Sequence, residues 1–392
     1  MRWRFGPYEL DVARRELRVD GALRPLQPRV FDVLAYLVAH GDRVVGKEEL
    51  LREIWPGAVV GDASVQRAVS VLRRTLRAAD RDLLRTHARR GYRFVGAAQA
   101  LDADPVDAAL DGPPRYARSG AVHVAYRTVG RGPVDVVLVP GWALSMRSTL
   151  ELPAGRALVG ALARRARVVL FDKRGTGASD RVKALPTLAQ REQDLEAVLD
   201  ALRSSGAVLV GFSEGGPLAV AFASRHPART RGLALVGAFA RMAAAPDHAQ
   251  GWSPGQVAAL RAYVQAGWGS GATMLAVVPE RLRSDEVRAW AARAEQEGAS
   301  PGAALDLVDM NLAIDVRPLL GAVRVPAVVL HAARDRVIDA GNGRALAAAI
   351  PGARLVEVPG DDHAFLFGGR EVLLREVERL VDRAAAPARP VT

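Results

Sequence analysis

The chain has 392 residues, which is more than one ordinary hydrophobic core accommodates, so its length predicts two domains. Its 49% hydrophobic and 25% charged residues favour globular folding, and the absence of cysteine excludes disulfides and thiolate metal sites. The first residues form no apolar signal segment, and the longest uncharged stretch, 262–279, contains polar residues and three glycines. We therefore expect a cytoplasmic protein without a membrane span.

Positive charge is concentrated near the N-terminus. The chain carries a formal net charge of +11, and nearly all of its 54 basic residues are arginine. Residues 1–98 contain 19 basic and 12 acidic side chains, whereas the other three quarters of the chain are closer to neutral. This distribution is typical of a module that binds nucleic acid.

The first hundred residues predict a small α+β module. Short extended segments over 2–19 lead to a turn at Asp20-Gly21, and two helices follow over 28–40 and 47–55. Asp62 is expected to cap a third helix, which has apolar residues on one face and polar residues with arginines on the other. Residues 83–95 alternate around Arg89-Arg90-Gly91 and predict a β-hairpin.

This order of elements resembles the OmpR/PhoB-type winged-helix domain of bacterial transcription regulators. The resemblance covers about residues 2–96 and depends on the segments Leu26–Leu34, Lys47–Leu51, Trp55–Gly57, Val71–Leu76 and Gly91–Phe94. It implies a winged-helix domain at 1–97 that binds DNA, with the third helix in the major groove and the hairpin wing against the neighbouring backbone. It also allows a homodimer.

The resemblance implies which side chains would contact DNA. Candidates for base edges are Gln66, Arg67, Ser70 and Arg74. Candidates for phosphates are Arg73, Arg77, Arg90 and Arg93. Arg89 stands where the family has its first wing glycine, which leaves the conformation of the wing open. A solvated arginine face, or a winged helix that contacts only protein, remains an alternative.

A linker is expected over 98–115, where apolar periodicity is lost and Asp111-Gly112-Pro113-Pro114 interrupts the chain. From 116 to 392, apolar strands alternate with helical stretches. This alternation predicts an α/β domain with a mostly parallel sheet covered on both faces.

Three residues of this second domain have the order of a catalytic triad. Ser213 lies in the G-x-S-x-G segment Gly211–Gly215, directly after an apolar strand and before a helix, which is the pattern of a nucleophile elbow. Asp335 and His363 each follow a later apolar strand. Asp339 is the best alternative acid, Asp361 and Asp362 are alternatives that suit a turn, and His331 lies within a strand and suits a structural role.

The elbow also predicts an oxyanion hole. The backbone N–H of Glu214, at the start of the helix behind Ser213, is expected to point at the developing oxyanion. A second N–H is expected from the loop after the strand at 134–139, most simply that of Trp142.

This domain resembles a subgroup of serine α/β-hydrolases over about residues 115–385. The matching segments are Phe171–Gly177, Gly211–Gly216, Asp335–Val337, Ile350–Gly352 and Gly360–His363. The resemblance implies an α/β-hydrolase fold with a helical cap at about 242–317 over the site. Such a cap suggests a small apolar or amphipathic acyl substrate. Asp172 and Arg174 are expected to shape their loop rather than to react.

The sequence therefore predicts a serine hydrolase that cleaves an ester or similar acyl bond through an acyl-serine intermediate, fused to a DNA-binding module. No metal cluster or phosphate loop is visible, so no metal or cofactor is expected. The alternative is a transcription regulator that uses the hydrolase fold as a small-molecule sensor, with little or no turnover.

Overall fold

The computed structural model describes residues 2–12, 14–57, 60–76, 83–101 and 105–386. The chain divides into two units between residues 104 and 105. In the first unit an antiparallel sheet with the strand order β4-β3-β2-β1-β7 is followed by three helices and a hairpin, β5-β6. Its elements are β1 Arg2–Phe5, β2 Tyr8–Asp11, β3 Glu16–Val19, β4 Ala22–Leu23, α1 Pro28–Ala39, α2 Lys47–Ile54, α3 Asp62–Thr75, β5 Leu84–His87, β6 Gly91–Phe94 and β7 Gln99–Leu101.

The apolar faces of the three helices meet in one core. Val30, Leu34 and Leu37 of α1 are buried with Leu50 of α2 and Val69 of α3, as the helical spacing predicts. The hairpin joins this core through Tyr92, whose N–H donates to the Val45 carbonyl at 2.9 Å. The small α+β module is therefore confirmed.

Two local details differ from the sequence prediction or complete it. Asp62 is the first residue of α3 and does not cap it; Gly61 occupies the cap position, and the Asp62 carboxylate pairs with Lys47 at 2.7 Å. Arg89 adopts a left-handed conformation with φ +61°, so the wing turn forms without the family glycine.

The expected linker at 98–115 contains secondary structure instead. Residues 99–101 form β7, which pairs with β1 through backbone hydrogen bonds, and Pro105–Asp111 form helix α4 of the second unit. Val106 of α4 is fully buried, and Arg127 donates to the carbonyls of Ala109 and Gly112. The sequence of this segment shows no strong periodicity of apolar residues, because backbone hydrogen bonds and one buried side chain hold these elements in place.

The second unit contains an eight-stranded sheet with the order β15-β14-β13-β12-β10-β11-β9-β8. Among the described strands of this sheet, β9 runs antiparallel to both of its neighbours, β11 and β8, and the other neighbouring pairs are parallel, so the mostly parallel sheet is confirmed. The elements that form it and cover it are β8 Arg115–Ser119, β9 Val122–Val129, β10 Asp135–Val139, α5 Met146–Glu151, α6 Pro153–Ala163, β11 Arg167–Phe171, α7 Leu188–Ala201, β12 Ala207–Phe212, α8 Gly215–Arg225, β13 Thr230–Val236, α13 Arg317–Leu320, β14 Ala327–Ala332, α14 Ala340–Ala349, β15 Arg354–Val358 and α15 Arg370–Ala385.

Helices cover both faces of this sheet. Leu209 points into a core with α7 and α8, whereas Val208 and Val210 point into a core with α6 and α15. Because neighbouring residues of a strand face opposite sides, a strand buried on both faces is apolar throughout, as β12 is.

Four helices between β13 and α13 form the region expected to be a cap: α9 Pro254–Gly267, α10 Ala272–Ala276, α11 Asp285–Gly298 and α12 Pro301–Ala313. Trp268 and Trp290 stabilise this region, since their indole N–H groups donate to the carbonyls of Ala299 and Ser148 at 2.9 and 2.8 Å. Among the helices of the described residues, none is long and apolar enough to cross a membrane.

Candidate active site and nucleic-acid interface

Ser213 occupies a sharp turn between β12 and α8. Its φ is +50°, a left-handed conformation that is uncommon outside glycine. The turn packs against the neighbouring strand end so closely that a Cβ on Gly215 would lie 2.3 Å from the Val139 carbonyl oxygen. Position 215 therefore has no room for a side chain larger than that of glycine. The strained turn lifts Ser213 above the edge of the sheet.

His363 and Asp335 form a buried hydrogen-bonded pair. The Nδ1 atom of His363 lies 2.6 Å from Asp335 Oδ2, and Asp335 Oδ1 accepts the N–H groups of Val337 and Ile338 at 2.8 and 3.1 Å. Burial by itself raises the pKa of Asp335, but His363, His331 and the backbone N–H of Val337 together lower it far below its usual range. The acid is therefore ionised, and it orients the imidazole ring.

Ser213 and His363 line the same cavity. The other ring nitrogen of His363, Nε2, is buried and has no hydrogen-bond partner in the described part of the chain. A tautomer protonated at Nδ1, as the bond to Asp335 favours, leaves a free lone pair on Nε2. The ring also rests on Gly237, where a Cβ would lie 2.9 Å from Nδ1, so this glycine sets the position of the histidine.

The alternative acids have other structural roles. Asp339 is the N-cap of α14 and accepts the Gly341 N–H at 2.8 Å. Asp362 accepts three backbone N–H groups, those of residues 367 to 369, and Asp361 pairs with Arg281 at 3.5 Å. His331 is buried, and its Nε2 lies 2.9 Å from the Ile338 carbonyl oxygen, as expected for a structural residue.

Two backbone N–H groups have the setting of an oxyanion hole. Trp142 and Glu214 both line the cavity that holds Ser213. Within the described residues, neither backbone N–H donates to another protein group. The geometry thus leaves two donors free beside the serine at the start of α8.

Sequence reasoning missed a buried charged cluster directly behind these donors. Lys173, Glu214 and Arg191 are 1%, 3% and 1% exposed. Lys173 Nζ and Arg191 Nη1 each donate to one carboxylate oxygen of Glu214. The only sequence signal is Lys173 itself, a lysine in a chain that uses arginine almost throughout, placed directly after a buried strand and Asp172.

The neighbouring residues shape the loop, as expected. Asp172 accepts the N–H groups of Met146 and Ala178 at 2.6 and 2.7 Å, and burial raises its pKa to about 6, although these hydrogen bonds oppose the shift. Arg174 forms a two-bond pair with Asp194 at 2.7 and 2.5 Å. These contacts connect the loop to α5 and α7 and leave neither side chain in the cavity.

The cavity has a volume of about 210 Å³ and apolar walls. Strand and helix side chains such as Leu138, Leu158 and Phe212 line one part, and Trp252 and Met274 contribute from the cap region. Within the part of the chain that the structure describes, no lysine or arginine lines it, and the titratable lining residues are Glu214, which is paired, and His363. Among the described residues, no group of three or more His, Asp or Glu side chains is arranged to hold a metal ion.

The candidate DNA-contacting residues lie on α3 and the wing. Gln66, Arg67, Ser70 and Arg74 are exposed on α3, and Arg90 is exposed at the wing turn. Arg73 and Arg93 are partly buried: Arg73 donates to the Leu84 carbonyl at 2.7 Å, and Arg93 to the Gly41 carbonyl at 3.1 Å. Arg77 lies outside the described residues. The exposed set is free for a ligand, whereas Arg73 and Arg93 also stabilise the hairpin.

Two families match different parts of the chain. The alpha/beta hydrolase fold family matches residues 135–369. The family of the C-terminal domain of transcriptional regulatory proteins matches residues 21–94. The second match agrees with the OmpR/PhoB-type resemblance of the N-terminal unit.

Individual proteins match in the same two parts. A pimeloyl-[acyl-carrier protein] methyl ester esterase of Chromobacterium violaceum is 32% identical over 268 residues, covering 66% of this chain and 98% of that protein. The transcriptional activator CadC of Escherichia coli is 26% identical over 95 residues, covering 24% of this chain and 19% of that protein.

The enol-lactonase of Burkholderia xenovorans has the same fold as the second unit, with a TM-score of 0.58 and 26% identity over 68% of this chain and 100% of that one. The chain belongs to the α/β-hydrolase fold family, and it joins this hydrolase domain to an OmpR/PhoB-type transcription-regulator domain.

Proposed function

We propose that the second domain is a serine hydrolase that cleaves an ester of an apolar acyl group, with Ser213 as nucleophile, His363 as base and Asp335 as the acid that orients it. The observation that carries this proposal is the strained turn at Ser213, which shares one apolar cavity with a histidine held by a buried, ionised aspartate. The esterase relative supports the reaction class.

The reaction proceeds in two halves. Ser213 Oγ attacks the acyl carbon while His363 Nε2 takes its proton, and the carbonyl oxygen becomes an oxyanion that accepts from the N–H groups of Trp142 and Glu214. The C–O bond to the leaving alcohol then breaks, and His363 returns the proton to that oxygen. Water repeats the sequence on the acyl-serine, which releases the carboxylic acid and restores Ser213.

The lining of the cavity defines the acyl class. Since no lysine or arginine of the described residues lines it, a carboxylate on the acyl chain would lose its hydration without gaining a charged partner of this kind. An uncharged hydrocarbon chain gains free energy from the same walls.

We propose that the N-terminal domain binds DNA through α3 and the wing, and that the chain is a hydrolase coupled to a transcription regulator. The exposed Gln66, Arg67, Ser70, Arg74 and Arg90 support this role, as does the match to the regulator family. Arg73, Arg77 and Arg93 remain candidate phosphate contacts, and dimerisation remains a prediction.

Replacing Ser213 tests the nucleophile. Ser213→Ala should abolish labelling by a fluorophosphonate probe and lower kcat for p-nitrophenyl esters by at least about 10⁴-fold, because no other group supplies the attacking oxygen. Ser224→Ala is the matched control, since its hydroxyl donates only to Ala221 within α8, and it should label fully. Labelling retained by Ser213→Ala would refute the assignment. A folded wild type that never labels would favour the sensor function.

Replacing the two candidate acids identifies the partner of His363. Asp335→Asn should lower kcat by about 10⁴-fold, because the amide favours the tautomer that leaves Nε2 without a lone pair. Asp339→Asn should keep kcat within about threefold, because the side chain only caps α14. The two variants are compared by steady-state kinetics on one ester. Loss of activity in Asp339→Asn alone would reverse the assignment.

A series of acyl chains tests the cavity. For p-nitrophenyl esters from acetate to hexanoate, kcat/KM should rise by about fourfold for each buried methylene, since each contributes about 0.8 kcal/mol. A monoester of similar length that ends in a carboxylate should be at least about 100-fold poorer than its uncharged counterpart, because its charge must enter an apolar space. Equal rates for the matched pair would contradict an apolar acyl site.

The salt dependence of binding tests the DNA interface without a known operator. Affinity for random-sequence duplex DNA should fall steeply with salt, and Arg90→Ala should reduce the slope of log K against log salt by about 0.9, the value for one lost phosphate contact. Arg18→Ala, which removes an arginine of β3 that pairs with Glu16, should leave the slope unchanged. Binding that does not depend on salt would favour a winged helix that contacts only protein.

A further inference from the structure

Lys173 has a complete set of hydrogen-bond partners in the interior of the hydrolase domain. It lies two residues after the end of β11 and is 1% exposed. Its ammonium group donates to the Glu214 carboxylate, to the Gly141 carbonyl at 2.9 Å and to the Pro140 carbonyl at 3.2 Å. An ammonium has three N–H donors, so every donor of Lys173 is used.

The bond to Gly141 determines the direction of the Trp142 N–H. The carbonyl of Gly141 and the N–H of Trp142 belong to one peptide group, which is planar and trans, so the two bonds point in opposite directions. With the carbonyl oxygen held on Lys173, the N–H is directed away from Lys173. Lys173 therefore fixes the orientation of a donor that it does not touch.

The same ammonium also holds the residue that carries the other donor. Glu214 lines the cavity, and its carboxylate is held between Lys173 and Arg191. One buried cation thus connects the strand end at 140–142 with the first turn of α8. An ion cluster of this kind stabilises a fold little compared with apolar packing of similar volume.

We propose that Lys173 is a positioning residue, which holds the N–H groups of Trp142 and Glu214 in the geometry of the oxyanion hole. This inference depends on the proposed acyl-transfer function. Lys173 does not touch the substrate; it acts on the transition state through the two backbone donors.

The adjacent residue provides a matched control. Arg174 is 6% exposed and pairs with Asp194, which is 1% exposed, so the next side chain along the chain is also a buried cation in an ion pair. Its other bonds go to Gln190 and Ser119 rather than to the loop at 140–142. Loss of either cation should destabilise the fold, but only loss of Lys173 should affect the oxyanion hole.

The experiment compares Lys173→Met with Arg174→Met in the full chain. Lys173→Met should lower kcat for a p-nitrophenyl ester by about 10²-fold, in the range for one lost oxyanion donor, with KM within about threefold. Arg174→Met should keep kcat within about threefold even where its loss of melting temperature is as large. Equal loss of kcat in both variants, or an unchanged kcat in Lys173→Met, would overturn the inference.

A pH profile of the wild type provides a second readout if Lys173→Met does not fold. Burial, together with the nearby Arg191, lowers the pKa of Lys173 to about 8, although Glu214 and Asp172 oppose the shift. We expect kcat to fall as the pH rises through this value, because the neutral amine holds the carbonyls weakly. Ser213→Ala serves as the blank for ester hydrolysis by the solvent.

The direction in which kcat changes with pH distinguishes a positioning role of Lys173 from a purely structural role. Above pH 8 the unfolded state binds more protons than the folded state, so the contribution of Lys173 to stability rises with pH up to about 10.5. A merely structural lysine would therefore cause no loss of kcat in this window, and a flat profile from pH 7 to 10 would overturn the inference. A wild type that neither labels nor turns over would refute the proposed function as well.

Discussion

The turn at Ser213 leaves no space for side chains around it. A Cβ on Gly211 would lie 2.9 Å from the Gly215 carbonyl oxygen, and one on Gly216 would lie 2.4 Å from Ala238 Cβ. This close packing holds Ser213 at a positive φ and seats α8 directly against the ends of β10 and β13. This placement of α8 determines where the free N–H groups at its start lie. The cavity and the position of His363 depend on it as well.

The parallel sheet brings the other candidate site residues to the same edge. The carboxyl ends of β10, β11, β12, β14 and β15 lead to the loops with Trp142, Lys173, Ser213, Asp335 and His363. Parallel strands connected by helices must place these loops together, whatever their separation in sequence. The apolar walls then follow from strands that are buried on both faces, and the cap region adds side chains such as Trp252.

The N-terminal domain uses some arginines for stability and leaves others free. Arg73 and Arg93 donate to main-chain carbonyls and hold the hairpin, whereas Arg67, Arg74 and Arg90 are exposed. An excess of positive charge attracts DNA without specifying a sequence, and the exposed polar residues of α3 are suited to base edges. Because the regulator domain and the hydrolase domain belong to one chain, they are always produced together, although they fold as separate units.

Local pattern was sufficient for the fold class and for the elbow. The glycines around Ser213, the apolar run before it and the alternation of strands with helices are properties of neighbouring residues, and so are the helical faces of the N-terminal module. They predicted an α/β-hydrolase domain after a winged helix, and the order of Ser213, Asp335 and His363.

Tertiary structure decided what depends on residues far apart in sequence. Instead of the expected linker, the structure contains β7, which pairs with β1, and the helix α4. The sequence did not reveal them because backbone hydrogen bonds leave no side-chain pattern. Proximity to His363 distinguishes Asp335 from Asp339, although both follow the same strand. The cluster of Lys173, Arg191 and Glu214 joins residues 41 and 23 positions apart, and only the packed sheet brings their charges together.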